Sequence, residues 1–320
     1  MPLMSASCSV IVPVYNDPGY LAQALASVRA QDFEDWEAIV VDDGSDDNGA
    51  KTLVENLGDQ RIRYIRHAAN RGLSAARNTG IRDAQSEVIV PLDSDDMLGA
   101  GYLGRIVPYL SPGSGYNAAF SDHQGFGDFD GVIHKGMPPH EGVTEISDAD
   151  LVSLLRFQWI PAGGGSFTRE LWEAIGGYCE DDALRVGDED RDFWVGALEH
   201  DLRVIYIAEP LYWYRVGDGS MMSRLPPAAW RTHRVIYERH RPIFDKHGIG
   251  RAFLADGYAT SAAAWRDRGK RRTAIKLAMR SLALEPWRID AFGVIGRAVL
   301  PTPLHDFLRS MLNRPRGRAA

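Results

Sequence analysis

Along the first hundred residues, short uninterrupted apolar runs alternate with segments whose apolar positions recur every three to four residues. The runs at residues 9–15 (SVIVPVY), 36–45 (WEAIVVDDGS), 62–65 and 87–92 read as buried strands. The segments at 20–30, 50–57 and 74–84 read as amphipathic helices between them. Strands that are apolar at nearly every position belong in a parallel sheet covered on both faces. Such sheets bind ligands beyond the carboxyl ends of their strands. Two of these runs end in acids: Asp42 and Asp43 after the second, Asp93, Asp95 and Asp96 after the fourth.

The pattern changes further along. Residues 112–142 are rich in Gly, Asp and His, and irregular structure or a mobile loop is expected there. Helical spacing returns at 148–157, a Gly-rich turn follows at 161–166, and a further helix is expected at 169–175. Residues 204–207 and 211–215 read as two late strands flanking Pro210. Pro226 and Pro227 mark the domain boundary, giving a sheet domain over 1–225 and a helical region over 226–320. Within that region, residues 269–286 resemble the second half of a tetratricopeptide repeat. One such unit falls short of the roughly three that a free-standing array needs, so a helical hairpin packed against the first domain is expected.

Composition narrows the class. With 320 residues, 45% apolar and 25% charged, the chain is neither disordered nor low-complexity. Cys8 and Cys179 cannot build a disulfide framework, which points to a reducing compartment. The N-terminus carries no signal-peptide pattern and no apolar run is long enough to span a bilayer, so a cytoplasmic protein is expected. The net charge of −7 hides an asymmetry. Residues 226–320 hold 19 Lys/Arg against 7 Asp/Glu, leaving 17 basic and 36 acidic residues before them. A body that acidic argues against nucleic acid as a partner. The basic end, where Arg297, Arg309, Arg314, Arg316 and Arg318 interleave with apolar residues over 291–318, suits peripheral contact with the inner face of a membrane.

Four constellations carry candidate chemistry. In LDSDDM (92–97) three carboxylates crowd a strand end. They repel one another unless solvent or a cation intervenes, and clustered hard oxygens suit Mg²⁺ or Mn²⁺; a solvated helix-capping turn is the alternative. In VDDGS (41–45) a strand-end carboxylate could accept a hydrogen bond from a base imide N–H, or simply cap a helix. In NRGLSAARN (70–78), Gly72 permits close backbone approach and Arg77 could reach a diphosphate, or the segment is an ordinary exposed helix. In GDEDRDFW (187–194) the acids open a helix, where negative charge is stabilised.

Taken together, the order and spacing of residues 10–16, 42–45, 70–78, 93–96, 163–178 and 189–194 resemble those of the family 2 glycosyltransferases. The resemblance covers about residues 8–216. It implies the glycosyltransferase A fold, a Rossmann-like, mostly parallel α/β sheet with flanking helices, with a small all-helical region after it. It also implies transfer of a sugar from a nucleoside-diphosphate sugar, expectedly a UDP-sugar, to a carbohydrate or glycolipid hydroxyl in surface polysaccharide or glycolipid assembly. By the same resemblance Pro13, Val14 and Tyr15 line the base pocket, Asp43 binds the base, and Gly72 and Arg77 lie along the ribose and diphosphate. Asp93, Ser94 and Asp95 carry the Asp-x-Asp pattern, with Asp95 the direct ligand of Mg²⁺ or Mn²⁺, Asp93 beside it and Asp96 a near neighbour. Asp190, next to Glu189, matches the catalytic base of inverting members, and Asp192 and Trp194 complete that pattern. One departure stands out: where many relatives carry a polar diphosphate contact after the late strand, this chain has Gly217-Asp218-Gly219-Ser220. His123 is the conceivable substitute, though a lone loop histidine is expected to be solvated.

Two rivals remain. A sugar-phosphate nucleotidyltransferase would need a Gly-rich basic loop after the first strand, where this chain has NDPGY (16–20). A dinucleotide-binding dehydrogenase would need Gly-x-Gly-x-x-Gly there. A catalytically inactive transferase-fold adaptor is opposed by the intact acids at both 93–96 and 189–190.

Overall fold

A computed structural model describes residues 7–133, 142–147, 150, 165–185, 187–217 and 227–299. The chain divides into two compact units, 1–223 and 224–320.

The first unit is built on one sheet. Strand β1 (Cys8–Val14) pairs in parallel with β2 (Trp36–Asp42) on one side and β4 (Val88–Pro91) on the other, and β2 pairs in parallel with β3 (Ile62–Arg66). Alternate residues of β1 feed two different cores. Val10, Val12 and Val14 pack with helix α1 (Pro18–Arg29), whereas Ile11 packs with Ile39, Val41 and helix α3 (Leu73–Asp83). This double burial is the physical reason the strand is apolar throughout. Local chemistry sets the helix starts. Asp17 caps α1 by accepting from the backbone N–H of Tyr20, with Pro18 in the first turn. Helix α2 (Gly49–Leu57) ends at Gly58 in the left-handed region. Beyond a short β5 (Met97–Leu98), helix α4 (Tyr102–Leu110) buries Tyr102, Leu103, Ile106, Val107 and Leu110, a helical spacing that the sequence reading left unassigned.

The second half of the sheet corrects two expectations. Residues 118–127 are not part of an irregular loop; they form β6 (Ala118–Gly127), an interior strand. Apart from Phe120 its buried positions at 118–123 are small or polar, Ala118, Ala119, Ser121, Asp122 and His123, so it lacks the β-branched signature of a strand. It is a strand because partners hold it on both sides: β9 (Ser166–Thr168) antiparallel and β10 (Val204–Val216) parallel. The two late strands expected around Pro210 are one, β10, whose register against β6 shifts on either side of Pro210. A proline removes one ladder donor, and the irregularity absorbs that without ending the strand. The strand order is β3-β2-β1-β4-β9-β6-β10-β5, with β7 (Gly131–Ile133) beside β6 and β8 (Val143–Ile146) beside β10. Helix α5 (Arg169–Ile175), capped by Thr168, and helix α6 (Glu189–Ala197) cover one face. The sheet is thus parallel through its first half, as expected, and mixed through its second. The expected helix at 148–157, save for residue 150, and most of the turn at 161–166 lie outside the described residues.

The second unit is helical. It comprises α7 (Ala229–Arg239), α8 (Arg241–His247), α9 (Gly250–Asp267), α10 (Arg271–Leu284) and α11 (Ile289–Val299). Ala262, Ala274, Leu277, Ala278, Ala291 and Val294 form its small-residue core. Among the described residues no helix is long and apolar enough to cross a membrane.

Candidate active site

The strand ends of β1 and β2 are tied together first. Residues Pro13 and Val14 are buried in the ladder opposite Val41 and Asp42, while Tyr15 beyond them is 47% exposed. Asn16 follows with φ +57°, its backbone N–H donating to Ser45 Oγ and its side chain exchanging hydrogen bonds with Asp46. Asp42 is fully buried and structural. Burial alone would raise its carboxyl, but hydrogen bonds from the Tyr64 hydroxyl and Ser45 backbone outweigh that and hold it below the usual range.

Asp43 faces the other way, into the loop before α3. Its carboxylate accepts from the backbone N–H groups of Arg71 (2.9 Å) and Gly72 (2.7 Å), and its Oδ1 lies 2.7 Å from His67 Nδ1. The turn that aims it needs a glycine. Gly44 has φ +78°, and a Cβ there would meet Ala69 backbone at 2.6 Å. Asp43 and Gly72, assigned to base and ribose, are therefore in direct contact.

Arg77, one turn into α3, is 3% exposed and points into the protein. One amino group donates to Asp93 Oδ1 at 2.6 Å and the other to Glu189 Oε1 at 2.8 Å. Its Nε–H has no partner among the described residues. Although burial disfavours its charge, Asp93 and Glu189 hold its pKa above the ordinary arginine value. A single guanidinium thus joins the acid cluster after β4 to the acid cluster opening α6.

In the first cluster each aspartate has a different job. Asp93 is the ion-paired one. Asp96 is buried and anchors the turn, accepting from the Tyr212 hydroxyl (2.8 Å) and the Arg215 backbone N–H (2.8 Å). Burial, then the charges of Asp93 and Asp95, push its carboxyl well up. Arg215 completes the clamp. Its Nε–H donates to the Asp95 carbonyl at 2.7 Å, its guanidinium donates to Gln23, and it lies 4.2 Å from the Tyr20 ring centre and 4.3 Å from that of Phe126. Ser94 and Asp95 are half-buried. The Asp95 carboxyl is raised by burial and by the adjacent Asp93 charge, and it makes no ion pair among the described residues. That is the crowding a divalent cation would relieve. Among the described residues no three His, Cys, Asp or Glu side chains are grouped to hold a metal.

In the second cluster, Asp188 adopts φ +68° and Glu189 and Asp190 follow in the first turn of α6. Asp190 Oδ1 accepts the Arg191 backbone N–H at 2.7 Å. Burial raises the Asp190 carboxyl despite the nearby Arg77 charge; burial and Asp190 together push Glu189 up to about 7. Phe193 and Trp194 fix the helix, Phe193 stacking 4.5 Å from Tyr178 and Trp194 lying edge-on 4.7 Å from Phe120. A groove lined by Gly72, Ser74, Leu184, Arg185 and Glu189 runs beside the start of α3.

Some residues that position the site escaped the sequence reading. Asn78, beside Arg77, makes four hydrogen bonds to the segment before α6: Nδ2–H donates to the Tyr178 carbonyl (2.8 Å) and Glu180 (2.9 Å), and Oδ1 accepts from the Tyr178 N–H (2.9 Å) and Trp172 Nε1–H (3.2 Å). Nothing local signals partners a hundred residues away. His123 is corrected: it is not in a solvated loop but fully buried on β6, 5.0 Å from the Tyr212 ring. Beyond β10 Gly217 is described, but residues 218–220 lie outside the described residues.

With this geometry in view, the chain can be set beside known proteins. The family description "Glycosyl transferase family 2" matches residues 9–145. Over 243 residues the chain is 28% identical to "Glycosyltransferase GlyA" of Streptococcus pneumoniae, a match covering 71% of this chain and 33% of that protein. The chain therefore spans a third of that relative's length. The S. aureus TarS 1-349 structure in complex with UDP-GlcNAc superposes with a TM-score of 0.63 at 18% identity, covering 96% of this chain and 88% of that one. A mannosyltransferase from Pyrobaculum calidifontis, solved with GDP-Man and Mn²⁺, gives a TM-score of 0.57 at 20% identity, covering 98% and 89%. At those identities the two structures establish the fold.

Proposed function

From the premise that this chain carries a family 2 glycosyltransferase domain, we propose that it is an inverting transferase. It would move a sugar from a nucleoside-diphosphate sugar, expectedly a UDP-sugar, to a hydroxyl of a carbohydrate or glycolipid acceptor, in surface polysaccharide or glycolipid assembly. The observation that carries this reading is the Arg77 bridge, which draws Asp93 and Glu189 from distant segments to one guanidinium. The donor end and the base end of a single-displacement site must converge in that way. In the reaction the acceptor oxygen forms a bond to the anomeric carbon as the bond to the diphosphate oxygen breaks. Asp190 takes the acceptor proton, and the nucleoside diphosphate leaves. Attack opposite the leaving group inverts the anomeric centre. Asp43 and the Gly72 backbone, joined by hydrogen bonds, hold the base and ribose, with Pro13, Val14 and Tyr15 at the neighbouring strand end.

Asp95, with Asp93 beside it, would hold Mg²⁺ or Mn²⁺; such an ion supplies positive charge to the departing diphosphate. The raised Asp95 carboxyl fits this role, and a fold neighbour was solved with Mn²⁺. Asp95→Ala is expected to keep its fold, because Asp96, Tyr212 and Arg215 hold the turn, and to lose Mn²⁺-dependent nucleotide affinity. Titration of UDP with and without Mn²⁺ checks this. Unchanged affinity and unchanged Mn²⁺ dependence would remove the metal assignment.

The acid pair also sets a pH dependence. The working form of Asp190 is the carboxylate, so raising its pKa moves the loss of activity on acidification upward in pH. With burial holding the Asp190 carboxyl above its ordinary range, the fall in transfer rate on acidification should begin at a higher pH than an ordinary aspartate would give. An ordinary aspartate would keep it flat down to about 5. The pH profile of kcat/KM is the measurement, with a flat profile between 5 and 8 as the contrary result. The peripheral membrane contact expected of the basic C-terminus falls mainly on residues 300–320, outside the described residues.

A further inference from the structure

The helical unit carries an apolar tip that nothing in the transfer reaction uses. Trp287 is 90% exposed and Ile289 85%, with Met279 and Phe292 more than half exposed. Four large apolar side chains exposed within residues 279–292 are the kind of surface that marks a contact site. Helix α10 shows what kind of contact. Its buried face is Ala274, Leu277, Ala278 and Ser281. The opposite face presents Arg272, Lys276, Met279 and Ala283 at intervals of three and four, all exposed, and the chain then runs directly to Trp287. No acid occurs in α10, whereas Arg271, Arg272, Lys276 and Arg280 do. The turn that follows is pinned. Arg288 pairs with Glu285 (3.1 Å), Asp290 (3.0 Å) and Asp256, occupying the neighbouring carboxylates and leaving Trp287 directed outward.

A cationic helix face leading into an exposed tryptophan and two further apolar side chains is the composition of an interfacial anchor. Indole favours the headgroup level of a bilayer, and each cation near an anionic leaflet strengthens the attraction. We propose that this face docks on an anionic lipid surface, with Trp287, Ile289 and Phe292 entering the headgroup region and Arg272 and Lys276 meeting lipid phosphates. The four basic residues and no acid on α10 call for an anionic surface, and the exposed indole of Trp287 suits the headgroup level of a bilayer, so lipid is the occupant. This anchor is separate from the basic residues after 300, and it holds whether or not the chain transfers sugar.

The test is co-sedimentation of the full chain with phosphatidylcholine vesicles, with and without phosphatidylglycerol, at low and high salt. Expected is binding that needs phosphatidylglycerol and weakens with salt. Trp287→Ala should lower the bound-to-free ratio about tenfold or more, and Arg272→Gln with Lys276→Gln should flatten the salt dependence. All three positions are exposed, so circular dichroism should be unchanged. A chain lacking 300–320 should retain Trp287-dependent binding. Binding untouched by Trp287→Ala but abolished by that deletion would overturn the proposal in favour of the tail. So would a concentration-dependent dimer that Trp287→Ala dissolves, which assigns the face to a second copy, or no binding at low salt.

Discussion

Asp190→Asn is expected to bind the nucleotide sugar with near-native affinity and to lose about 10²–10⁴ in transfer rate. The substitution keeps size and keeps an oxygen to accept the Arg191 N–H; it removes the proton acceptor. The helix beneath should not change, since Phe193 and Trp194 pack independently of the carboxylate. Asp192→Asn separates chemistry from support. Asp192 is buried at 2% and sits in the same turn, so its replacement should cost stability more than turnover. The decisive measurement pairs donor affinity with turnover in both variants and determines the anomeric configuration of the product. Normal turnover by Asp190→Asn, or a retained configuration, would each remove the single-displacement mechanism. Donor binding with no turnover in the unmodified chain, across a broad acceptor panel, would favour the adaptor reading instead.

How much of this was legible in the sequence depends on where each residue's partners lie. The strands through β4 were visible because both faces of each are buried, which makes every position apolar, as in the β1 residues Val10, Ile11 and Val12. The acids were visible because three carboxylates crowded at a strand end repel one another and so stand out from the apolar run before them. By contrast, β6 was hidden, because Ser121, Asp122 and His123 are buried by neighbouring strands rather than by their own hydrophobicity. Asp122 is satisfied by the Tyr206 hydroxyl on β10, a partner no local rule foretells. Pro210 misled in the same way, since the sheet tolerates it by shifting register. In the site, the motif residues were found but their connections were not. The pairing of 70–78 with 172–189 is made by Asn78 and Arg77, and both contacts span about a hundred positions. The order of the motifs implied that the segments meet; only the fold reveals that a guanidinium and an amide join them.

That connection gives Arg77 the second large effect. The sequence reading set Arg77 along the diphosphate, which would make its loss a matter of ligand affinity. Its observed pairs predict a loss in the ligand-free protein. Removing one partner of a buried ion pair costs about 3–5 kcal/mol, because the remaining charge is stranded. Asp93 is 27% exposed and solvent screens part of its share, so the lower end applies. Arg77→Met should therefore lower the ligand-free Tm by on the order of ten degrees. Arg77→Lys should fall between, since one ammonium cannot fork to two carboxylates as a guanidinium does. The deficit has a pH sign. Without Arg77 the Glu189 carboxyl is held further above its unfolded value of 4.5. A raised carboxylate favours the folded state only while protonated, so the destabilisation of Arg77→Met should grow from pH 5 to 8. Glu189→Gln in the same chain should recover part of it and flatten that slope. Thermal unfolding of the four proteins across that pH range decides the matter. A ligand-free Tm indifferent to Arg77→Met, with only nucleotide affinity lost, would return Arg77 to the diphosphate and leave the two acid clusters without their link.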